Sequence, residues 1–487
     1  MLRVFNTLGD TKEEFVPIRP GKVGMYACGV TVYDHSHIGH ARGAVVFDMI
    51  RRYLTFKGWK VTYVRNFTDV DDKIINRARE QGVSWEEIAE RYILEYQKDM
   101  EALGVERADL EPKATDHIKE IVDLTRRLME KGYAYESGGD VLFSVDRFEG
   151  YGKLSGRKLE DLLAGARVEV DEKKKNPLDF VLWKASKPGE PTWESPWGPG
   201  RPGWHIECSA MNLALLGETI DIHGGGKDLI FPHHENEIAQ SEAATGRPFV
   251  HYWLHNGFVN INQEKMSKSL GNFFTIKEVL ARFTPEAVRF FLLSTHYRSP
   301  IDFSDQNLED AERARRRVYH LLYEVERRMG REAKPIASDQ AEGYPSVAAQ
   351  VHKMIPRFEE AMDDDFNTAR AIGSIFEAVR TLNGFLNDIG LDRDQAVVSI
   401  LKSFQDHIKV IGSVLGLFQE RPEQVLKGTE DRPAQDLEEI RKKIALRSEA
   451  RKRKDWAEAD RIRKELADQG VILKDLPDGS MDWEWNR

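Results

Sequence analysis

The apolar positions in the first part of the chain follow two different periods. Val23 to Val32 is a short apolar run rich in β-branched and aromatic residues, which predicts a buried strand. From Ile38 to Tyr53 the apolar side chains recur at helical spacing, and Trp59 to Val64 then alternates as a second strand. A strand, a helix and a second strand in this order predict half of an α/β domain with a parallel sheet.

The pattern is interrupted after about residue 110 and resumes near residue 202. Within the interruption a helix is predicted over Asp116 to Lys131, and strands over Tyr133 to Val145. After it, strands predicted at Thr219 to Ile222 and Tyr252 to Ile261 flank a helix with Pro232 in its first turn, where proline is favoured. This order predicts an insertion between two halves of one sheet.

Beyond Ser299 the apolar stripe is helical, which predicts a bundle. We therefore predict an α/β fold, with a split Rossmann-like parallel-sheet domain followed by an α-helical bundle and a small C-terminal module. The predicted boundaries are 1–110 for the first half of the sheet domain, 111–201 for the connective insertion, 202–255 for the second half, 256–307 for the region of a lysine-serine loop, 308–410 for the bundle and 411–487 for the C-terminal module.

Composition narrows the class of protein. A chain of 487 residues exceeds what one core usually supports, and its 41% hydrophobic and 31% charged residues are typical of a globular protein. No apolar run approaches the roughly 20 residues of a membrane span, and the N-terminus lacks a secretory or transit pattern, so we expect a cytoplasmic protein. The formal charge of −10 argues against indiscriminate nucleic-acid binding.

A phosphate-binding site is predicted where the first strand meets the first helix. Free amides and the helix dipole favour anions at a helix N-terminus, and His37 and His40 lie there three residues apart. A second cationic segment follows the strand at Tyr252 to Ile261, where Lys265 and Lys268 flank small hydroxyl residues. We interpret it as a lid over a polyphosphate, although such a loop by itself is usually a solvated turn.

The second candidate site is a metal centre. The two cysteines, Cys28 and Cys208, lie at element ends in the two predicted halves, and His233 and Glu237 are spaced to share one helical face. Two sulfurs, one nitrogen and one oxygen suit Zn²⁺. Each cysteine alone is more often a small buried hydrophobe, and a set of four protein ligands is ordinarily structural. Contact between the ion and a substrate is therefore left open.

Three aspartates between Asp69 and Asp72 admit two interpretations. They are a Mg²⁺ site or, the reading we favour, a turn in which Asp69 or Asp71 caps the next helix. Thr68 lies at the carboxyl end of its strand, the side on which such sheets bind ligands, so we expect it to face a pocket.

The pairing of His37-Ile38-Gly39-His40 with Lys265-Met266-Ser267-Lys268-Ser269 resembles the two signatures of class I aminoacyl-tRNA synthetases. The stretches Tyr26 to Asp34, Gly203 to Met211 and His223 to Gln240 are similar to those of the cysteinyl-tRNA synthetase family, and the similarity runs over essentially the whole chain. The resemblance implies an L-cysteine:tRNA(Cys) ligase that uses ATP with Mg²⁺, acts as a monomer and has no membrane partner.

The resemblance also implies a role for each motif residue. One zinc ion per chain is held by Cys28, Cys208, His233 and Glu237. ATP is handled by His37, His40, Lys265 and chiefly Lys268, and the residues around the amino acid and its adenylate are Gly29, Thr68, Trp204, His223 and Asp228. The resemblance further implies that the sheet domain is catalytic and that region 256–307 contacts the tRNA stem. It implies that the bundle binds tRNA and that the C-terminal module reads the anticodon.

Two other functions are compatible with parts of the sequence. A ligase that joins cysteine to an amino sugar, as in mycothiol synthesis, has a similar catalytic half but needs no tRNA. Arg441 to Leu466 contains eleven Lys or Arg against five Asp or Glu, which argues for a nucleic-acid partner. A zinc-stabilised RNA-binding paralogue without activity is disfavoured by the intact motifs. Trp483 and Trp485 are base-stacking groups or, the reading we favour, packing anchors.

Overall fold

The computed structural model of the chain describes residues 1–157, 173–261, 264–265, 273–329, 344–389, 395–427, 434–475 and 481–485. These residues form two units, one of Met1–Leu308 with Ala361–Ala369 and one of Glu309–Glu360 with Arg370–Arg487. Among the described residues, no helix combines the length and the apolar composition that crossing a membrane requires.

Strands and helices are numbered separately along the chain. The strands are β1 (Arg3–Asn6), β2 (Thr11–Glu14), β3 (Lys22–Thr31), β4 (Lys60–Thr68), β5 (Ala134–Ser137), β6 (Asp140–Phe143), β7 (Phe180–Ala185), β8 (Gly200–Pro202), β9 (Ile220–Gly226), β10 (Val250–Asn256), β11 (Val259–Ile261), β12 (Glu264–Lys265), β13 (Ile301–Phe303), β14 (Val471–Asp475) and β15 (Met481–Trp485). The α-helices are α1 (Ile38–Phe56), α2 (Asp72–Gln81), α3 (Trp85–Ala102), α4 (Ile118–Glu130), α5 (Trp204–Leu215), α6 (Glu235–Thr245), α7 (Ile276–Leu280), α8 (Pro285–Leu293), α9 (Asp305–Met329), α10 (Pro345–His352), α11 (Met354–Asp363), α12 (Thr368–Asp388), α13 (Gln395–Leu415), α14 (Pro422–Lys427), α15 (Ala434–Lys452) and α16 (Trp456–Asp468).

The first unit is built on a parallel sheet of four strands in the order β10-β9-β3-β4. Strands β3 and β4 precede the predicted insertion and β9 and β10 follow it, so the predicted split sheet is confirmed. Because all four strands run in one direction, their carboxyl ends meet at one edge of the sheet. Thr31, Thr68, Gly226 and Asn256 end the four strands at that edge, where α/β sheets bind ligands.

An antiparallel sheet of four strands lies between the two halves, in the order β5-β6-β7-β8. Phe143, Leu182 and Trp183 of this sheet pack with Leu128 of α4 in one buried cluster. The same cluster includes Ile206 of α5, so the intervening residues are anchored on a helix of the second half.

Three local predictions can be compared with the structure. Asp71 caps α2, because its side chain accepts a hydrogen bond from Lys73 N, which confirms the capping interpretation. Pro232 is not a first-turn proline: it follows a cis peptide bond in a separate turn at Ile230–His234, where Phe231 has an extended backbone, and α6 begins at Glu235. The continuous strand predicted over Tyr252 to Ile261 was also wrong, since β10 and β11 belong to different sheets.

The second unit is mainly helical among its described residues. Two of its arginines, Arg315 and Arg328, are buried and paired with Glu312 and Glu324. A hairpin of β14 and β15 follows α16.

Trp483 belongs to this hairpin and is buried in a cluster with Ile440, Leu466, Val471 and Leu473. This placement confirms the packing interpretation of Trp483. The side chain of Trp485 lies outside the described residues.

A buried ion pair connects three elements of the first unit. Arg289 of α8 donates to the carboxylate of Asp48 in α1 and to the carbonyls of Leu103 and Gly104 after α3. Asp48 and Arg289 are each 1% exposed. Arg52 pairs with the same carboxylate at 2.9 Å but is partly exposed.

We expect Arg289→Met to destabilise the first unit by about 3–5 kcal/mol, because Asp48 would keep a buried charge without its main partner. Arg52→Met is the matched control and should change stability by about 1 kcal/mol or less. Thermal unfolding of both variants, followed by circular dichroism, measures the difference. Equal shifts would contradict the assignment of the buried pair as the stabilising contact.

Candidate functional site

A cavity of about 580 Å³ opens at the carboxyl edge of the parallel sheet. Six of the residues singled out in the sequence line it: Cys28, Gly29, His37, His40, Trp204 and Asp228. Cys208, His233, Glu237, Thr68 and His223 do not line it and are buried. Cys28 therefore places the predicted metal site directly beside the cavity that contains the predicted phosphate site.

His37 and His40 form a reciprocal cap at the start of α1. His37 Nδ1 accepts hydrogen bonds from Gly39 N at 3.1 Å and from His40 N at 3.4 Å, and His40 Nδ1 accepts from His37 N at 3.3 Å. The two rings stack, with 3.6 Å between their centroids. Because Nδ1 is the acceptor in both neutral rings, each ring carries its proton on Nε2 and is a donor there.

Four predicted metal ligands converge within the sheet domain. One ligand atom from each of Cys28, Cys208, His233 and Glu237 lies within 4.8 Å of all the others. The two sulfurs are 3.8 Å apart, Cys28 Sγ is 3.3 Å from Glu237 Oε1, and His233 Nε2 is 3.1 Å from the same oxygen. Two soft sulfurs, an imidazole and a carboxylate, nearly all buried, fit a divalent zinc ion.

A second possible ligand set shares part of the first. Cys28 and Glu237 also lie within 4.8 Å of His223 and His234. His223 Nε2 is 2.8 Å from Glu237 Oε2, and His234 Nε2 is 3.3 Å from Cys28 Sγ. Among the described residues, these two sets share only one thiol and one carboxylate, so geometry by itself admits two positions for an ion.

The electrostatics of the cluster favour a cation. The hydrogen bond with Cys28 lowers the pKa of the Cys208 thiol to about 6, whereas burial raises the pKa of Cys28 well above its usual value. Burial opposes a charge on His233, but hydrogen bonds to Cys208 and Glu237 outweigh it and raise the His233 pKa to about 10. A thiolate and a carboxylate thus face an imidazolium, and a bound divalent ion would displace that proton.

Further histidines surround the cluster that sequence reasoning did not select. His205 Nδ1 lies 2.9 Å from His233 Nδ1, and His234 Nδ1 lies 2.7 Å from His255 Nε2. Burial lowers the pKa of His255 to about 3, so its ring is neutral. Thr7 Oγ1 lies 2.7 Å from the other nitrogen of His255. The histidine pair His233-His234 was a visible signal, but His255, the partner of His234, comes from the distant strand β10.

The backbone of β3 departs from regular pairing beside Cys28. Ala27 pairs with Arg65 and Val30 with Phe67, so Cys28 and Gly29 together face one residue of β4, Asn66. Gly29 N donates to Asn66 Oδ1 at 2.9 Å. A Cβ atom on Gly29 would lie 1.6 Å from Asn66 O, which makes glycine obligatory at this close approach.

Three other predicted pocket residues, Thr68, Trp204 and Asp228, lie in three different elements. Thr68 ends β4 as predicted, but its hydroxyl is buried and lies 2.9 Å from Glu207 Oε2. Trp204 begins α5, is 41% exposed, and its ring centroid is 4.4 Å from that of His233. Asp228 lies in the short turn after β9.

The lysine-serine loop is described only in part. The backbone of Lys265 belongs to β12, which pairs with β11, but its side chain lies outside the described residues. Lys268 lies wholly outside them, so its predicted role stays a prediction.

Comparison with protein families identifies three segments of the chain. Residues 14–313 match the catalytic domain of class I tRNA synthetases of the cysteine type, 357–419 match the DALR domain, and 430–480 match the cysteinyl-tRNA ligase anticodon-binding domain. The chain is 57% identical over 484 residues to the cysteine-tRNA ligase of Geobacter metallireducens, covering 98% of this chain and 99% of that one. It is 56% identical over 495 residues to that of Pelobacter propionicus, covering 100% and 99%.

Solved structures support the fold. A Mycobacterium tuberculosis methionyl-tRNA synthetase in complex with methionyl-adenylate matches with a TM-score of 0.61 at 16% identity, covering 83% of this chain and 93% of that one. The leucyl-tRNA synthetase of Agrobacterium radiobacter K84, in a ternary complex with tRNA, matches with a TM-score of 0.59 at 13% identity, covering 85% and 86%.

We expect Gly29→Ala to prevent the normal pairing of β3 with β4, because its methyl group would overlap the backbone of Asn66. Gly43→Ala is a matched control from the same cavity, where a Cβ would make an ordinary 3.5 Å contact with Asn256 Oδ1. The thermal midpoint of each variant tests this expectation. An alanine at residue 29 that melts like the control would show that the close approach is not obligatory.

Proposed function

Because the chain belongs to the cysteine-tRNA ligases, class I aminoacyl-tRNA synthetases that join cysteine to tRNA, we propose that it recognises cysteine through a zinc ion beside the ATP site. The main support for this proposal is that ligand atoms of Cys28, Cys208, His233 and Glu237 lie within 4.8 Å of one another. They lie next to the cavity that His37 and His40 line. Bound zinc would supply a soft Lewis acid that favours a thiolate over a hydroxyl.

We propose the set with two sulfurs as the zinc ligands and give His223 and His234 a supporting role. His223 contacts Glu237 Oε2, the carboxylate oxygen other than the one near His233. His234 contacts Cys28 Sγ and is itself held by His255. Such outer contacts orient the ligands of a metal and tune their basicity.

Sulfur selectivity matters because cysteine and serine differ by one atom. Shape alone separates near-isosteric substrates by only about 10–200-fold. In the proposed pocket Gly29, Trp204 and Asp228 line the cavity around the amino acid and its adenylate, and Thr68 and His223 act from buried positions. Trp204 supports this arrangement, since it is half-exposed against the ring of His233.

Adenylate formation joins the cysteine carboxylate to the α-phosphorus of ATP and releases pyrophosphate. His37 and His40 donate through Nε2 to phosphate oxygens, because their Nδ1 atoms are occupied by the helix cap. Lys265 and chiefly Lys268 add positive charge as the phosphates separate, and Mg²⁺ accompanies ATP. A terminal ribose hydroxyl of tRNA then attacks the carbonyl carbon of the adenylate and AMP leaves.

The tRNA partner is proposed as tRNA(Cys). The match of residues 430–480 to an anticodon-binding domain and the basic stretch from Arg441 to Leu466 support binding at the C-terminal end. We further propose that the enzyme acts as a monomer in the cytoplasm. The amino-sugar ligase is not favoured, because it has no use for an anticodon-binding domain, and neither is a silent paralogue.

The zinc hypothesis is tested by removing one sulfur. We expect Cys208→Ser to lose zinc and to reduce the preference for cysteine over serine in pyrophosphate exchange to the roughly 10–200-fold that shape provides. Met211→Leu, a volume-conserving change at a buried position on α5, is the control and should retain both the metal and the preference. Metal analysis and exchange kinetics are run together, and unchanged zinc and selectivity in Cys208→Ser would refute the proposal.

The role of Lys268 is tested separately. We expect Lys268→Ala to lower the kcat of cysteine-dependent pyrophosphate exchange by about 10²–10³-fold, because a charge that stabilises the transition state is lost. The KM for cysteine and the zinc content should stay unchanged. A loss of less than about tenfold in kcat would contradict this role.

A further inference from the structure

We infer that Asn66 is a positioning residue of the metal centre, because its amide oxygen contacts both segments that carry the cysteine ligands. This inference rests on the proposed zinc site and adds a residue that does not itself bind the ion. Two features support it, the irregular pairing of β3 with β4 and the contacts of Asn66 beside the two sulfurs.

The irregularity is a β-bulge. Regular parallel pairing holds up to Ala27 opposite Arg65 and resumes at Val30 opposite Phe67. One extra residue of β3 is thus accommodated at Cys28 and Gly29, opposite Asn66. A bulge redirects the side chain beside it, and here the redirected side chain is the Cys28 thiol.

Asn66 replaces the backbone hydrogen bond that the bulge disrupts. Its side-chain oxygen accepts from Gly29 N at 2.9 Å, directly after Cys28 in the chain. The same oxygen lies 3.8 Å from Cys208 Sγ on α5. Asn66 is 1% exposed, so water cannot easily take its place. The side-chain oxygen of Asn66 therefore holds the backbone beside one cysteine by a hydrogen bond and packs against the sulfur of the other.

Removing the acceptor has a specific consequence. The amide of Gly29 would be buried without a partner, which is unfavourable, and the bulge would shift to find one. Because Glu237 Oε1 is only 3.3 Å from Cys28 Sγ, a small shift of the bulge changes the ligand spacing. Outer partners of metal ligands typically contribute 10–100-fold, roughly, to metal affinity.

The experiment compares two buried asparagines in the full-length enzyme. Asn66→Leu removes the acceptor at nearly constant size, and Asn66→Ala is the second variant in case leucine does not fit. Asn212→Leu is the matched control: Asn212 lies on α5 four residues after Cys208, is fully buried, and its amide has no hydrogen-bond partner within the described chain. Cys208→Ser and wild-type enzyme are measured beside them.

Zinc affinity is measured by competition with a chromogenic chelator, and the KM values for cysteine and ATP by pyrophosphate exchange. We expect Asn66→Leu and Asn66→Ala to bind zinc about 10–100-fold more weakly than wild type. The KM for cysteine should rise while the KM for ATP stays unchanged. Asn212→Leu should keep wild-type zinc affinity even if its thermal midpoint falls. A merely structural role for Asn66 would not split the two KM values.

The outcomes separate this inference from the proposed function. If Cys208→Ser loses zinc while both Asn66 variants bind it like wild type, the role of Asn66 is overturned and the zinc site stands. If Asn212→Leu loses zinc as strongly as Asn66→Leu, the effect is general loosening, and the role is likewise overturned. If Cys208→Ser and wild type bind zinc equally, the proposed site itself fails and the inference fails with it.

Discussion

Two sulfurs 3.8 Å apart, one buried and one on the cavity wall, packed with a buried carboxylate and several buried imidazoles, are the constraint on which this catalytic unit depends. Negative charge buried in such a cluster is unfavourable unless positive charge beside it offsets it. In the protein alone His233 offsets one of the negative charges, since its hydrogen bonds to Cys208 and Glu237 raise its pKa to about 10. The arrangement is poised for a divalent ion that would replace this proton.

The sequence predicts the sheet because that prediction needs only local patterns. Strands β3, β4 and β9 are recognisable from short apolar runs, and parallel pairing across the insertion follows from their order along the chain. The start of α6 is harder to predict. A proline such as Pro232 is typical of a first helical turn, but Phe231 before it has an extended backbone, and the helix begins only at Glu235. The break after Asn256 was missed for a similar reason, since the residues on both sides look equally strand-like.

The residues of the candidate site also divide into those that the sequence alone identifies and those that only the structure shows. Cys28 and Cys208 stand out because the chain has only two cysteines, and His37 and His40 stand out by their spacing. Asn66 carries no such signal, because its role comes from a bulge in the neighbouring strand. His255 and Thr7 are also invisible to local reasoning, since the contacts between them join residues 248 positions apart. Sequence patterns therefore identify groups with distinctive chemistry, and the structure is needed for the groups that hold them in place.

The bulge explains how a single strand serves both sulfur and phosphate chemistry. Side chains alternate between the faces of a strand, so one extra residue moves every later side chain to the opposite face. Tyr26 before the bulge and Cys28 within it contact the cluster that includes Cys208. After it, pairing resumes with Val30 opposite Phe67, and the chain continues to the His37 cap of α1. Without the extra residue, the positions of Cys28 and of the His37 cap relative to each other would be those that a regular strand gives. The extra residue at Cys28 and Gly29 changes these relative positions, and it fits only because Gly29 has no side chain to collide with the backbone of Asn66.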